Sequence, residues 1–385
     1  MSHTPPKDQP TIIDYLRYNR TSFGEQPLNG VDSVIFSTAA FMCLERGVLG
    51  RRDPNERIPL PMALCGLRRS ELFGNTWLRS RKFRGDAFLT AFMESPRFME
   101  CSVGRCVSET NDPADKQFGA VTFYLPDNSV YVAYRGTDGS INGWREDFNL
   151  CFMSSVPSMP AARHYLEEVA VTCPPNLYVG GHSKGGVLAE YAACTCSRHA
   201  FEQISRIFNH DGPGFSIPPS SRYDNADYLA KLEKTVPGNG IIGMVMEDRP
   251  GIVKVVAAKG LFILEHAGTN WCVDGDDFMY YSSIDDDAQV LYKTVNTWST
   301  KYTPQQRGML VDALFDVLEA SEAKSINELD DDWLRSLRGM RKGLKALPDD
   351  LKEEIFGMVR EMRRAFIAST KTAIKSGKRT KKKEA

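Results

Sequence analysis

Gly181-His182-Ser183-Lys184-Gly185-Gly186 sets a serine among glycines, with the short apolar run Asn176 to Gly180 before it and an Ala-rich stretch after it. A strand that turns sharply into a helix at such a serine lifts its hydroxyl clear of the sheet, and the glycines leave room for the bend. The helix that follows aims its first N–H groups and the positive end of its dipole at negative charge developing there. That is the chemistry of a serine nucleophile. A phosphate-binding loop does not fit, because that motif ends in Gly-Lys-Ser/Thr and here Gly186 follows Gly185.

A serine nucleophile needs a base, and a base needs an acid to orient it; with this elbow the chain order is Ser, acid, His. Three histidines follow Ser183. His199 falls on the helix leaving the elbow and projects away from the site. His266 lies in a loop after the last β-rich run and is the favoured base, with His210 the alternative. Asp211, which precedes Gly212-Pro213-Gly214 at a strand end, is the favoured acid, since ligand-binding groups of open α/β sheets gather at carboxyl ends of strands. Asp248, in the loop before Ile252 to Ala257, is its alternative. Two N–H groups complete an oxyanion hole: that of Lys184, next to the nucleophile, and that of Thr137, in the Tyr134-Arg135-Gly136-Thr137-Asp138-Gly139 exit of an earlier strand.

The elements that must hold these groups alternate along the chain. After a polar start (1–10, expected to be disordered), apolar spacing predicts two amphipathic helices over 12–18 and 34–44, and 49–117 reads as helices and loops. Gly119 to Leu125 and Val130 to Tyr134 predict a hairpin about Pro126-Asp127-Asn128-Ser129. A helix follows over 158–171 with Ser158 as its N-cap, then a strand at 176–180, a helix to about 205, and strands at 204–209, 252–257 and 261–264. Strands alternating with helices imply a three-layer α/β sandwich with a mostly parallel sheet over 11–285. Residues 286–370 carry helical periodicity, and 371–385 form a basic tail with seven Lys/Arg against one Glu.

Composition bounds the rest. The chain has 385 residues, 42% hydrophobic, with 48 Lys+Arg against 49 Asp+Glu. This is globular composition and excludes a nucleic-acid coat over the whole chain. No apolar run reaches the ~18 residues of a membrane span, and the start lacks a secretory signal. The nine cysteines are odd in number and scattered. With those features they predict reduced thiols and a cytoplasmic location. No Cys/His set has zinc spacing, and the aspartates of 274–277 and 285–287 lack the rest of a calcium loop, so neither metal nor cofactor is expected. Phe148, Phe152, Met153, Val156 and Met159 suit either core packing or a lid. The tail offers weak contact with an anionic surface, and no dedicated nucleic-acid motif accompanies it.

These stretches resemble the class 3 (fungal-type) lipases, in which an aromatic-Arg-Gly-Ser/Thr segment precedes a Trp, an Asp and a G-H-S-x-G-G elbow; here these are Tyr134 to Thr137, Trp144, Asp147 and Gly181 to Gly186. The sequence is more similar still to the Mbeg-like bacterial α/β hydrolases, a lipase-related family. The shared features are Asp14-Tyr15-Leu16, Asn29 to Asp32, the elbow, Asp211-Gly212-Pro213-Gly214-Phe215, Val236-Pro237, Ile242-Gly243, and His266 followed by Trp271. The resemblance covers roughly residues 11–280. It implies an α/β-hydrolase fold and a serine hydrolase acting on a carboxylic ester of a lipid or small acyl substrate. The alternative is a catalytically silent scaffold of the same fold that binds a ligand or partner. Two departures stand out. Lys234-Thr235-Val236-Pro237 has no Asp where class 3 lipases carry their acid, and Glu265 precedes His266 where the family pattern has Gln, putting a carboxylate beside the base.

Overall fold

Val130 to Tyr134 is apolar at every position because both faces of this strand are covered. It lies near the middle of one sheet whose strands follow their order in the chain: β1 (Ile58–Pro59), β2 (Ser102–Asn111), β3 (Lys116–Tyr124), β4 (Val130–Tyr134), β5 (Leu177–His182), β6 (Ile204–His210), β7 (Leu232–Pro237) and β8 (Val253–Val256). The short strands β9 (Val273–Asp274) and β10 (Asp277–Phe278) pair as a separate hairpin, and β11 (Tyr280–Tyr281) closes the main sheet against β8. β1 to β4 pair antiparallel, β4 to β8 pair parallel, and β11 is antiparallel again. The structure is a computed structural model that describes residues 4–48, 56–111, 116–138, 145–147, 149–150, 155–173, 176–260, 263–303 and 305–309, together with 349, 352–353, 356–357 and 360.

Right-handed crossovers between parallel strands in sequential order all lie on one face. The helices Ser158–Thr172, Lys184–Thr195 and Ala226–Lys231 therefore share a layer, and they meet Val130, Val132, Tyr134, Val179 and Ile207 in one core. The opposite face needs another source of cover, which is the N-terminal hundred residues. Ile12–Tyr18, Gly30–Ala39 and Gly85–Glu94 pack with Tyr131, Ala133, Tyr178 and Phe208 in a second core. Residues of β4 alternate between the two cores with the strand period of two. The result is the expected three-layer α/β fold.

One buried ion pair ties the N-terminal layer together. Arg97 and Asp32 meet at 2.6 Å with both side chains fully buried, and Arg97 also donates to the carbonyls of Thr21 and Gln26. Tyr15 donates to Asp32 as well, while Asn29 and Asp32 cap the Gly30–Ala39 helix reciprocally. The Asp-Tyr-Leu and Asn-x-x-Asp stretches are thus parts of one scaffold knot.

Several local expectations change. Gly30–Ala39 is buried on every face rather than amphipathic, because it lies between the sheet and the rest of its layer. β2 occupies the end of 49–117; its mixed polarity and the break in register between Gly104 and Val107 hid it. β7 was hidden by Glu233 and Lys234, which are buried and paired with charges on neighbouring segments. Ser158 is the first residue of its helix and Pro157 occupies the N-cap; the orphan N–H of Ser158 donates instead to Glu146 from outside the helix. The helix after the elbow ends at Thr195, and Ser197 caps a separate one over Arg198–Gln203. Of the strand expected at 261–264, residues 261 and 262 lie outside the described residues, Gly260 before them turns at φ +111°, and Ile263–His266 is a helical turn. Beyond Asp286–Ser299, most of the expected C-terminal helices and the whole basic tail lie outside the described residues.

Candidate active site

β5 runs straight into Ser183, which adopts φ 58° and ψ −130°, a strained conformation for a residue with a side chain, and the helix Lys184–Thr195 begins at the next position. The bend is fixed by close backbone approach. A Cβ on Gly185 would sit 2.2 Å from the Tyr134 carbonyl oxygen, so the first turn of the helix rests on the end of β4. The Ser183 N–H donates to the carbonyl of His210 at 2.9 Å, joining the elbow to the residue before Asp211.

Asp211 follows β6 in a left-handed turn at φ 54°. Its Oδ2 lies 2.6 Å from His266 Nδ1, and its Oδ1 accepts from the Gly243 N–H at 2.9 Å. The Asp211 side chain is 1% exposed and that of His266 16%, so the carboxylate is shielded while the imidazole reaches the surface of the site. The turn that carries His266 is clamped by its carbonyls. Those of Leu264, Glu265 and His266 accept from Asn270 Nδ2, Trp271 Nε1 and His182 Nε2 at 2.8, 2.8 and 2.6 Å. A carbonyl only accepts, so His182 carries its proton on Nε2. Burial holds the His182 pKa well below the usual imidazole value, which keeps it neutral beside His266. The Glu265 carboxylate turns to the N–H and side chain of Asn239, at 3.0 and 2.7 Å, and not to the imidazole.

The alternatives lie elsewhere. His210 is fully buried; its nitrogens meet Ser33 and Thr235 at 2.8 and 2.7 Å, and burial lowers its pKa to about 3. The Asp248 side chain is 60% exposed and meets Tyr223 and Arg249. His199 meets Gln203 on the outer face of its helix. The structure thus brings Asp211 and His266 together beside the elbow and leaves His210 and Asp248 outside that contact.

The two expected oxyanion donors come from two elements. The Lys184 N–H opens the elbow helix, and Thr137 follows β4. The Thr137 hydroxyl donates to Asp147 Oδ2. Burial pushes the Asp147 carboxyl up to about 6, while Lys184 and the Thr137 hydroxyl pull it down. Trp144, Phe148, Phe152 and Met153 fall outside the described side chains; Val156 and Met159 are core residues.

Sequence reasoning missed the groups that support these residues. Asn209 accepts from Gly212 N–H and donates to Glu190, bracing the turn of Asp211 against the elbow helix. Gly243 gives its N–H to Asp211, although the Ile-x-Gly stretch carried no chemical signal. Lys184 extends a fully buried ammonium to Glu146 at 3.0 Å, a burial that only its carboxylate partner makes tolerable and that the lysine alone does not signal.

No cluster of metal-ligating side chains occurs among the described residues, and none of the described helices is long and apolar enough to cross a membrane. The described cysteines are free thiols, five of them buried. The family model described as Mbeg1-like matches residues 92–316. No curated protein and no solved structure matches the chain.

Proposed function

The chain belongs to the Mbeg1-like family, and from that premise we propose that it is a serine hydrolase that cleaves a carboxylic ester through an acyl-enzyme intermediate. The observation that carries the reading is the 2.6 Å contact between Asp211 Oδ2 and His266 Nδ1, next to a serine in an elbow conformation. With Nδ1 bound to the carboxylate, Nε2 is the imidazole nitrogen left to serve Ser183.

In this reading Ser183 Oγ attacks the acyl carbonyl carbon while His266 Nε2 takes its proton. The tetrahedral oxyanion is held by the N–H groups of Lys184 and Thr137, which the helix start and strand exit orient in advance. His266, now an imidazolium stabilised by Asp211, protonates the leaving alkoxide as the C–O bond breaks. Water then attacks the acyl-serine by the same route, giving its proton to His266 and releasing the acid. No metal or redox partner enters the electron balance. The substrate is a small acyl ester or a lipid, and the basic tail adds weak attraction to an anionic surface.

The test is labelling with a fluorophosphonate, which phosphonylates an activated serine, run alongside Ser183→Ala and with turnover of a short nitrophenyl ester. Labelling and turnover that both vanish in Ser183→Ala support the reading. A parent protein that neither labels nor turns over ester favours the silent scaffold and ends the assignment.

A further inference from the structure

We propose that the side chain of Lys184, gripped by Glu146 and Gln117, is a positioning group that locks the two halves of the oxyanion hole at their working separation. The proposal rests on the serine-hydrolase reading and extends it to residues that touch no substrate. The two donors arise from segments remote in sequence, the exit of β4 and the start of the elbow helix, and a hole 1 Å too wide loses most of its effect. Something must set that spacing.

The geometry points to one buried junction. Lys184 Nζ donates to Glu146 Oε2 at 3.0 Å, to the Gln117 carbonyl at 2.9 Å and to Gln117 Oε1 at 2.7 Å, which uses all three of its protons. Glu146 also accepts from the Gln117 N–H at 3.0 Å and the Ser158 N–H at 2.8 Å. Its charge is therefore matched and both its oxygens are bonded, the condition under which a buried ion pair is tolerated. Gln117 Nε2 reaches the Gly136 carbonyl at 3.5 Å, the residue before Thr137. Asp147, the residue after Glu146, accepts from the Thr137 hydroxyl. Thr137 is thus braced from both sides by groups that converge on the ammonium whose own backbone N–H is the other donor. The fit is close: a Cβ on Gly136 would lie 2.5 Å from the His182 carbonyl oxygen and 3.4 Å from Ser183 Cβ.

A charged junction suits this task better than an apolar one. Apolar contacts are non-directional and let neighbouring segments slide, whereas three directed donors fix the lysine stem, and with it the first helical turn, against β3 and β4.

The experiment compares the parent with Lys184→Met/Glu146→Gln, which removes both charges together, and with Gln117→Met, which leaves the ion pair intact and cuts only the side-chain link to Gly136. Measured for each are kcat and KM on a short nitrophenyl ester, the second-order rate of phosphonylation by the fluorophosphonate, the pH midpoint of kcat and the melting temperature. The expected result is a fall of about 30- to 300-fold in kcat for the double variant and about 5- to 20-fold for Gln117→Met. Phosphonylation should slow in parallel, with KM within about threefold and the pH midpoint unmoved. Lys184→Arg, which keeps the charge and a donor fork, should recover part of the loss. A double variant that fails to fold leaves Gln117→Met and Lys184→Arg to decide. A folded double variant or Gln117→Met that labels and turns over within threefold of the parent overturns this proposal alone; a parent that does neither overturns it together with the hydrolase reading.

Discussion

Asp211→Asn probes the proposed acid without disturbing its backbone. Asparagine tolerates the left-handed conformation that Asp211 adopts at φ 54°, so the turn survives the change. What changes is which end of the side chain faces which neighbour. The Gly243 N–H, 2.9 Å from Oδ1, is a fixed donor and requires an acceptor. It therefore draws the amide oxygen and leaves the NH2 group facing His266 Nδ1, where a carboxylate oxygen stood at 2.6 Å. An NH2 there turns Nδ1 into an acceptor and moves the imidazole proton to Nε2, so the ring cannot take a proton from Ser183. A serine-histidine pair held in the wrong tautomer loses about 10⁴-fold in kcat, or about 5 kcal/mol. The escape is to flip the amide, which sets NH2 against the Gly243 N–H and strands two buried donors at about 1–3 kcal/mol each. The cheaper of the two routes sets the floor, so kcat should fall by between about 30-fold and 10⁴-fold. The assay is steady-state hydrolysis of a nitrophenyl ester from pH 5 to 9, with circular dichroism to check folding. A folded Asp211→Asn protein within tenfold of the parent would refute the assignment of Asp211 as the acid and the role given to Gly243.

Two further outcomes follow from other parts of the molecule. Asp147 has its pKa raised by burial from 3.8 to about 6, so the folded state binds its proton more tightly than the unfolded one; this contribution is most favourable below pH ~4 and is lost as the pH rises through about 6. Asp147→Asn should consequently melt higher than the parent at pH 8, with the gap closing towards pH 4, and a gap that widens on acidification would contradict it. Arg97→Met leaves Asp32 buried without its cation and strips the donor from the Thr21 and Gln26 carbonyls; it should cost about 3–5 kcal/mol in urea unfolding, and a loss below about 1 kcal/mol would show that the pair does not organise the N-terminal layer.

What the sequence disclosed and what it hid divide along a physical line. Local signals carried the elbow, because glycine spacing and the strand-to-helix change are written within a dozen residues, and the same holds for the β3–β4 hairpin and the helix at 158. The contact between Asp211 and His266 was legible through chain order and strand ends, which depend only on topology. The strands β2 and β7 were not legible, since their polar and charged residues are satisfied by partners distant in sequence, such as Lys234 with Glu247. The Lys184–Glu146 junction is of the same kind: each residue alone looks solvated, and only the fold buries both. The absence of an Asp from Lys234 to Pro237 also becomes intelligible. The Thr235 carbonyl accepts the Asp211 N–H at 2.7 Å, so β7 braces Asp211 where it follows the adjacent strand, and the proposed acid needs no counterpart on β7.

The sequential order of the parallel strands has a consequence for how the chain is made. The helix Gly30–Ala39 leaves the ribosome early, yet its Ser33 is finally bound to Tyr131, 98 residues later, and to His210, 177 residues later. At about 5–20 residues per second, the second of these partners arrives roughly 9–35 s after the helix itself. In the first part of that interval a segment destined to be buried on every side has no sheet to lie on, while each βα unit after β4 can dock on its predecessor as it emerges. The N-terminal layer is therefore first to be synthesised and last to be sheltered, and the nascent chain must be guarded from self-association until β6 is in place.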